Sequence, residues 1–253
     1  MTKPNGDFGL PEAVNPSLVN VTLPVFNEAA QLAESVDRLL AFLCEHGRFT
    51  YEVVIADNGS TDQTRAVAEE VRERWPEVRA AHLPEQGRGR ALKRVWTESQ
   101  ADILSYMDID LSADLEAFPR LIEPLANGEY DLAAGSRLLP QSRTTRCWKR
   151  EIISRSYNRL LKAVFRTRFT DTGCGFKAIT QQTARELLPR LRDPGFFLDA
   201  ELLVWAERLG YRVLDLPVCW VEDADSRVRV LQTACQNLRG IRRLRRNLAR
   251  DRA

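Results

Sequence analysis

Apolar positions along the chain alternate between two rhythms. Val19 to Phe26 is a short β-rich run closed by Pro24 and Asn27. In Ala29 to Leu43, Leu32, Val36, Leu39, Leu40 and Leu43 recur at helical spacing. The pair predicts strand, loop, helix. The same unit follows twice more: a strand at Tyr51 to Ala56, a loop at Asp57 to Asp62 and a helix at Thr64 to Trp75, capped by Ser60 or Thr61; then a strand at Val78 to Leu83 leading through Gly87 and Gly89 into a helix at Ala91 to Glu98. Ile103 to Asp108 is a fourth strand. Strands and helices alternating at this pace predict an α/β fold, a mostly parallel sheet flanked by helices and built by right-handed crossovers.

Beyond Asp110 the rhythm is less regular. It predicts a strand near Asp131 to Ala134, a basic loop from Arg137 to Arg150, a helix near Ile152 to Phe165 and a Gly/Cys loop at Asp171 to Lys177. Helices at 181 to 191 and 199 to 209 then precede a strand at Arg212 to Val218. No internal repeat or low-complexity tract is visible.

Ligands of such sheets bind beyond the carboxyl ends of the strands. Asn27-Glu28, Asp57-Asn58 and Asp108-Ile109-Asp110 all fall there. On an extended segment Asp108 and Asp110 would project to the same side and could share a hard cation through oxygen ligands. A strand-end turn with two solvated acids is the alternative. Asp57-Asn58-Gly59-Ser60-Thr61-Asp62 reads as a local turn or as an acceptor of hydrogen bonds from base or ribose. In Gln86-Gly87-Arg88-Gly89-Arg90, glycines permit close backbone approach and arginines suit phosphate.

Length and charge narrow the picture. The 253 residues suffice for one substantial core, and the net charge of +2 hides an asymmetry. Residues 229–253 hold eight arginines against Asp251, a net +7 that leaves about −5 on the rest. Within them Leu231, Ala234, Leu238, Ile241, Leu244 and Leu248 recur at spacings of three or four. This predicts a basic amphipathic helix that either packs on the domain or lies on an anionic membrane surface. No aromatic interleaving or recognised module supports nucleic-acid binding. Five scattered cysteines without a CxxC pair point to reduced thiols, and no apolar run reaches a signal-peptide core or a spanning helix. The expectation is a cytoplasmic protein, or one peripheral at the inner face of the membrane, with a flexible tail at 1–17, a catalytic domain at 18–228 and the basic helix at 229–253.

Pro24-x-x-Asn27-Glu28, Asp57-x-Gly59-Ser60-x-Asp62, Gly87-x-Gly89-x-Ala91 and Asp108-x-Asp110 occur in an order and spacing that resembles the family 2 glycosyltransferases. Gly135-Ser136-Arg137, Arg155 to Asn158, Asp171 to Lys177, Phe197-x-Asp199-x-Glu201-Leu202-Leu203 and Pro217-Val218-x-Trp220 are similar to the dolichyl- and polyprenyl-phosphate hexosyltransferases, particularly the dolichyl-phosphate β-glucosyltransferase branch. The likeness runs from about Val19 to about Leu244. It implies a GT-A nucleotide-diphospho-sugar transferase fold, a Mg2+ or Mn2+ ion, a nucleoside diphosphate sugar donor (UDP favoured over GDP) and inversion at the anomeric carbon. Carried over, Pro24, Asn27, Glu28 and Asp57 would hold base and ribose, with Phe26, Gly87, Arg88 and Ile109 also at the nucleotide. Asp108 and Asp110 would hold the metal. Arg137, Arg155 and Lys177 would face the acceptor phosphate. Two departures stand out: Asn58 replaces a usual second acid, and Gly173 a common glutamine.

A phosphate monoester acceptor is already largely anionic at neutral pH and needs no base. A hydroxyl acceptor would need one, and Asp199 or Glu201 is the candidate, unless both sit on a solvated helical turn. Three functions compete: transfer to a polyprenyl phosphate, transfer to a soluble small-molecule acceptor, and non-catalytic sugar-nucleotide binding suggested by Asn58. Retention of both Asp108 and Asp110 speaks against the last.

Overall fold

Strand and helix alternate from Leu18 to Met107 in the computed structural model, which describes residues 17–46, 49–221 and 230–251. The first stretch comprises β1 (Leu18–Val25), α1 (Leu32–Glu45), β2 (Thr50–Asn58), α2 (Thr64–Arg74), β3 (Val78–Leu83), α3 (Arg88–Glu98) and β4 (Ile103–Met107). Then follow α4 (Phe118–Ala126), β5 (Leu132–Ser136), β6 (Arg143–Thr145), α5 (Trp148–Phe165), β7 (Phe176–Thr180), α6 (Gln181–Leu187), α7 (Leu198–Arg208), β8 (Val213–Pro217), β9 (Cys219–Val221) and α8 (Val230–Arg250). The tail expected at 1–17 lies, but for Ser17, outside the described residues.

Seven strands form one sheet in the order β3-β2-β1-β4-β7-β5-β8, and β6 pairs with β9. β7 runs antiparallel to both neighbours; every other pairing is parallel. The chain winds outward from β1 to β3, then returns to lay β4 on the other side of β1. That reversal opens a crevice at the carboxyl ends of β1 and β4, the position where open α/β sheets bind ligands.

The pleat sends alternate side chains into two cores. Val19, Val21, Leu23 and Val25 face one core with Val53 and Ile55, covered by α1, α2 and α4. Val54, Ala56, Leu104 and Tyr106 face the other, covered by α3, α6, α7 and α8. Asn20 and Thr22 are fully buried in β1 between these apolar positions. Each is satisfied: the Thr22 hydroxyl donates to Asn20 Oδ1 (2.6 Å), and the Asn20 amide to Glu52 (2.8 Å).

Three elements depart from the sequence reading. The presumed Gly/Cys loop continues into β7, a buried strand with Lys177 at its second position. α4 carries Phe118, Leu121, Ile122 and Leu125 at helical spacing, masked in the sequence by Pro119 and Pro124. The basic loop contains β6, whose partner β9 lies more than seventy residues on.

Candidate active site

The loops after β1 and β2 are laced together. Asn27 adopts a left-handed backbone, φ +57°, and its side chain accepts from the Thr61 N–H (2.7 Å). The Asn27 N–H donates to the Ser60 hydroxyl (2.9 Å) and the Glu28 N–H to that of Thr64 (2.8 Å). Pro24, with no N–H to offer, is buried in β1 beyond its pairing with β4, which covers Val19 to Thr22. Phe26 and Glu28 are half-buried at the rim, and the Glu28 carboxylate accepts from the Gln31 amide (2.7 Å).

Asp57 is buried and committed: one oxygen accepts from the Ser60 N–H (3.0 Å), the other meets His82 Nδ1 (3.1 Å). It therefore shapes the β2 loop from within. Asn58 couples three segments, its amide donating to the Val25 carbonyl (2.6 Å) while its oxygen accepts from the Gly87 N–H (3.1 Å). A carboxylate could not supply that donor, which gives the departure at position 58 a physical role.

Asp108-Ile109-Asp110 is a turn, not a continuation of the extended strand. Leu111 N–H closes onto the Asp108 carbonyl (3.1 Å), and Leu111 itself sits at φ +49°, a strain of about 1–3 kcal/mol. The strand alternation expected to put both acids on one side therefore does not apply. Ile109 is buried in the core, which leaves Asp108 and Asp110 partly exposed on either side of it. Asp110 Oδ1 accepts from the Ser112 N–H (2.9 Å). Asp108 is cradled by Gly175, where an added Cβ would fall 1.8 Å from its Oδ2.

Behind this turn lies a balanced cluster of buried charge. Arg88, at the start of α3, donates to Asp199 Oδ2 (2.7 Å) and Asp108 Oδ1 (3.1 Å), with its guanidinium 4.6 Å from the Tyr106 ring centre. Lys177 is fully buried, its Nζ donating to Tyr106 Oη (3.1 Å) and the Thr172 (3.0 Å) and Cys174 (2.5 Å) carbonyls, 3.5 Å from Asp199. The Tyr106 hydroxyl also donates to Asp199 Oδ1 (2.5 Å). Burial pushes the Asp199 carboxyl up, but Lys177, Arg88 and Tyr106 outweigh it and hold it below the usual carboxylate range. Asp171, fully buried, is likewise held low against its burial by Arg137, whose Nε (2.7 Å) and Nη2 (3.1 Å) grip it bidentately. Burial raises the Cys174 thiol to about 12, so it is an inert core thiol.

Several expected roles change accordingly. Asp199 is no free base, since both oxygens are taken by charged or buried donors. Glu201 is fully buried and accepts from the Arg192 (2.7 Å) and Asp193 (2.8 Å) N–H groups and from Arg243 (3.1 Å). Neither acid sits on a solvated turn, and neither is exposed for proton abstraction. Lys177 cannot reach an acceptor through the core that encloses it. Arg88 props Asp108 rather than presenting an open fork to phosphate. Gly87 and Gly89 admit the backbone of the 193–195 loop, since Cβ atoms there would lie 2.7 Å from the Pro194 and Gly195 carbonyls. Arg137 stacks 5.0 Å from the Trp220 ring while bound to Asp171, and Arg155 pairs with Glu151 on the half-exposed side of α5. Tyr106, Asp171 and Gly175 escaped the sequence reading as site residues, although the stretch Asp171 to Lys177 contained two of them.

The C-terminal helix packs on the domain. Ile241 and Leu244 are buried, Gly240 lies against the Phe197 ring, and Arg243 pairs with Asp193 and Glu201. Its apolar stripe over 241–248 is thus spent inward, and Arg239, Arg242, Arg245 and Arg246 face outward or aside. No helix among the described residues is long and apolar enough to cross a membrane.

Asp108 and Asp110 suit a hard divalent cation, being two oxygen donors with room made by Gly175. Among the described residues no group of three or more His, Cys, Asp or Glu could enclose a metal. That donor set fits an ion of the Mg2+ kind, which binds through one or two carboxylates and takes its remaining ligands from waters and substrate phosphates.

Residues 20–188, about two thirds of the chain, match the family described as Glycosyl transferase family 2. Glycosyltransferase AglD of Haloferax volcanii is 35% identical over 219 residues, covering 85% of this chain and 35% of that protein, so the chain spans about a third of its length. A dolichyl-phosphate beta-glucosyltransferase of Drosophila melanogaster is 31% identical over 223 residues, covering 82% of this chain and 68% of that protein. Glucosyl-3-phosphoglycerate synthase from Mycobacterium tuberculosis, crystallised with Mn2+, UDP and phosphoglyceric acid, superposes with a TM-score of 0.65 at 23% identity, over 92% of this chain and 77% of that one. That likeness shows a shared GT-A architecture. With its strand order, its crevice beyond β1 and β4, and the family match running from β1 through α6, the chain belongs to glycosyl transferase family 2.

Proposed function

We propose that the chain transfers a hexose from a nucleoside diphosphate sugar, UDP-linked in preference to GDP-linked, to a polyprenyl phosphate with inversion. The observation that carries the reading is the pair of partly exposed carboxylates, Asp108 and Asp110, flanking buried Ile109 at the switch point of the sheet. The dolichyl-phosphate beta-glucosyltransferase relatives support the acceptor class. A Mg2+ or Mn2+ ion held by the two acids would neutralise the departing diphosphate. Asn27, Glu28 and the rim of β1 and β2 border the donor's nucleoside end, and Arg88 fixes Asp108 in place. Because Asp199 and Glu201 are locked in buried ion pairs, the site favours an acceptor that arrives as an anion and needs no deprotonation. Arg137, aligned by Asp171 and Trp220, is the cation best placed to meet it.

The test is a transfer assay with labelled UDP-glucose and a short-chain polyprenyl phosphate, with Mn2+ or with chelator. A lipid-soluble product formed only with metal is expected. Product on soluble phosphorylated acceptors alone would favour transfer to a soluble small-molecule acceptor instead. No turnover with any UDP or GDP sugar would end both.

A further inference from the structure

α5 presents two chemically distinct faces. Its inner face is tied to the site: buried Asn158 accepts from the Thr172 N–H (2.9 Å) and hydroxyl (3.1 Å), fixing the loop whose Asp171 grips Arg137. Its outer face is apolar and basic. Trp148, Ile152, Ile153 and Leu160 are 66%, 54%, 47% and 40% exposed, half of the large apolar side chains so exposed among the described residues. At 100° per residue they share one continuous arc with exposed Lys149 and Arg159. No acid lies on that arc: Glu151, the one acid of α5, falls outside it and is engaged by Arg146 and Arg155.

We propose that α5 lies on an anionic bilayer surface, its Trp and Ile side chains entering the headgroup region and Lys149 and Arg159 meeting lipid phosphates. A tryptophan with aliphatic neighbours and flanking cations is the composition of an interfacial helix, and the absence of acids matches a negative surface. α8 is the less suitable candidate, since Ile241, Leu244 and Leu248 of its stripe are packed on the core and leave Leu238 as the one exposed large apolar side chain among its described residues. The inference deepens the proposed function, resting on a lipid-borne acceptor for its purpose but not for its physics: a docked α5 brings the Arg137 loop alongside the membrane.

The experiment is co-sedimentation of the full chain at low salt with vesicles of phosphatidylcholine alone or with phosphatidylglycerol. Wild type is compared with an Ile152→Glu/Ile153→Glu variant whose circular dichroism and thermal midpoint are checked against it. Binding to the anionic vesicles is expected, falling about tenfold or more in the variant, since two isoleucines leaving water are worth at least that factor. Quenching of Trp148 fluorescence by brominated lipid, absent in Trp148→Phe, is the matching local signal. Equal binding by variant and wild type, or none by either, overturns the proposal. So does concentration-dependent self-association that the variant abolishes without vesicle binding, which would assign the face to a second copy. Vesicle binding that fails in the variant, in a chain that makes no lipid-linked product, keeps the docking and removes the acceptor reading; the reverse pattern removes the docking alone.

Discussion

Lys177→Met separates a structural cation from an acceptor ligand. The lysine is fully buried and offers its protons to Tyr106 Oη and to the Thr172 and Cys174 carbonyls, with Asp199 at 3.5 Å. Methionine conserves much of the volume but removes the Lys177 donor from both carbonyls, leaving that of Cys174 only the Tyr106 hydroxyl at 3.5 Å, and leaves Asp199 with Arg88 and Tyr106 alone. Breaking a buried pair in this way costs about 3–5 kcal/mol. For a chain of this size about 2–4 °C accompanies each kcal/mol, giving a fall of about 6–20 °C in thermal midpoint. Thermal unfolding at neutral pH, read by circular dichroism with a parallel urea titration, measures it. Combining it with Asp199→Asn should cost less than the sum of the single changes by about 0.5–3 kcal/mol, because the two groups share one network. A midpoint unchanged within about 2 °C, with a raised acceptor KM, would refute the buried-network argument and restore Lys177 to the acceptor site.

Further expectations follow from the same geometry. Gly175→Ala drives a methyl into the Asp108 carboxylate and should lower kcat by about a hundredfold with little change in donor-independent stability, measured by initial rates and unfolding; an unaltered rate would mean Asp108 is free to move. Glu201→Gln should cost about 1.5–3 kcal/mol through weakened bonds to Arg192, Asp193 and Arg243 while leaving kcat of the folded protein unchanged; a large kcat loss would reinstate it as a base. Asp171 and Asp199 are both held below the usual carboxylate range, so the unfolded chain binds the more protons as pH falls. Their stabilisation is complete above the unfolded value near 3.8 and is lost progressively beneath it, with Asp215, raised by burial, acting in the opposite sense. Midpoints measured across this acid range should drop for wild type and flatten for Asp171→Asn.

The alternating half of the fold was legible because its signals are local. Leu32 to Leu43 and Val78 to Leu83 declare helix and strand by spacing alone, and the polar clusters at strand ends follow from topology. Phe176 to Thr180 was not legible, since a lysine inside a short run reads as solvated unless its three buried partners are known. The pairing of Arg143–Thr145 with Cys219–Val221 is a long-range event that composition does not encode. At the site, Asp57, Asp108 and Asp110 were visible as residue types at strand ends, yet their present partners were not. Arg88 and Asp199 stand 111 residues apart in sequence, and only the fold makes them a salt bridge. The same holds for Glu201, whose burial behind Arg243 depends on where α8 packs.

The central claim is that Asp108 and Asp110 together hold a divalent cation against the donor's diphosphate. Calorimetric titration of UDP into the protein, with and without Mn2+, tests it most directly. Metal-dependent binding is expected for wild type, lost in Asp110→Asn while the thermal midpoint stays in place. Equal Mn2+-dependent affinity in the variant would contradict the account.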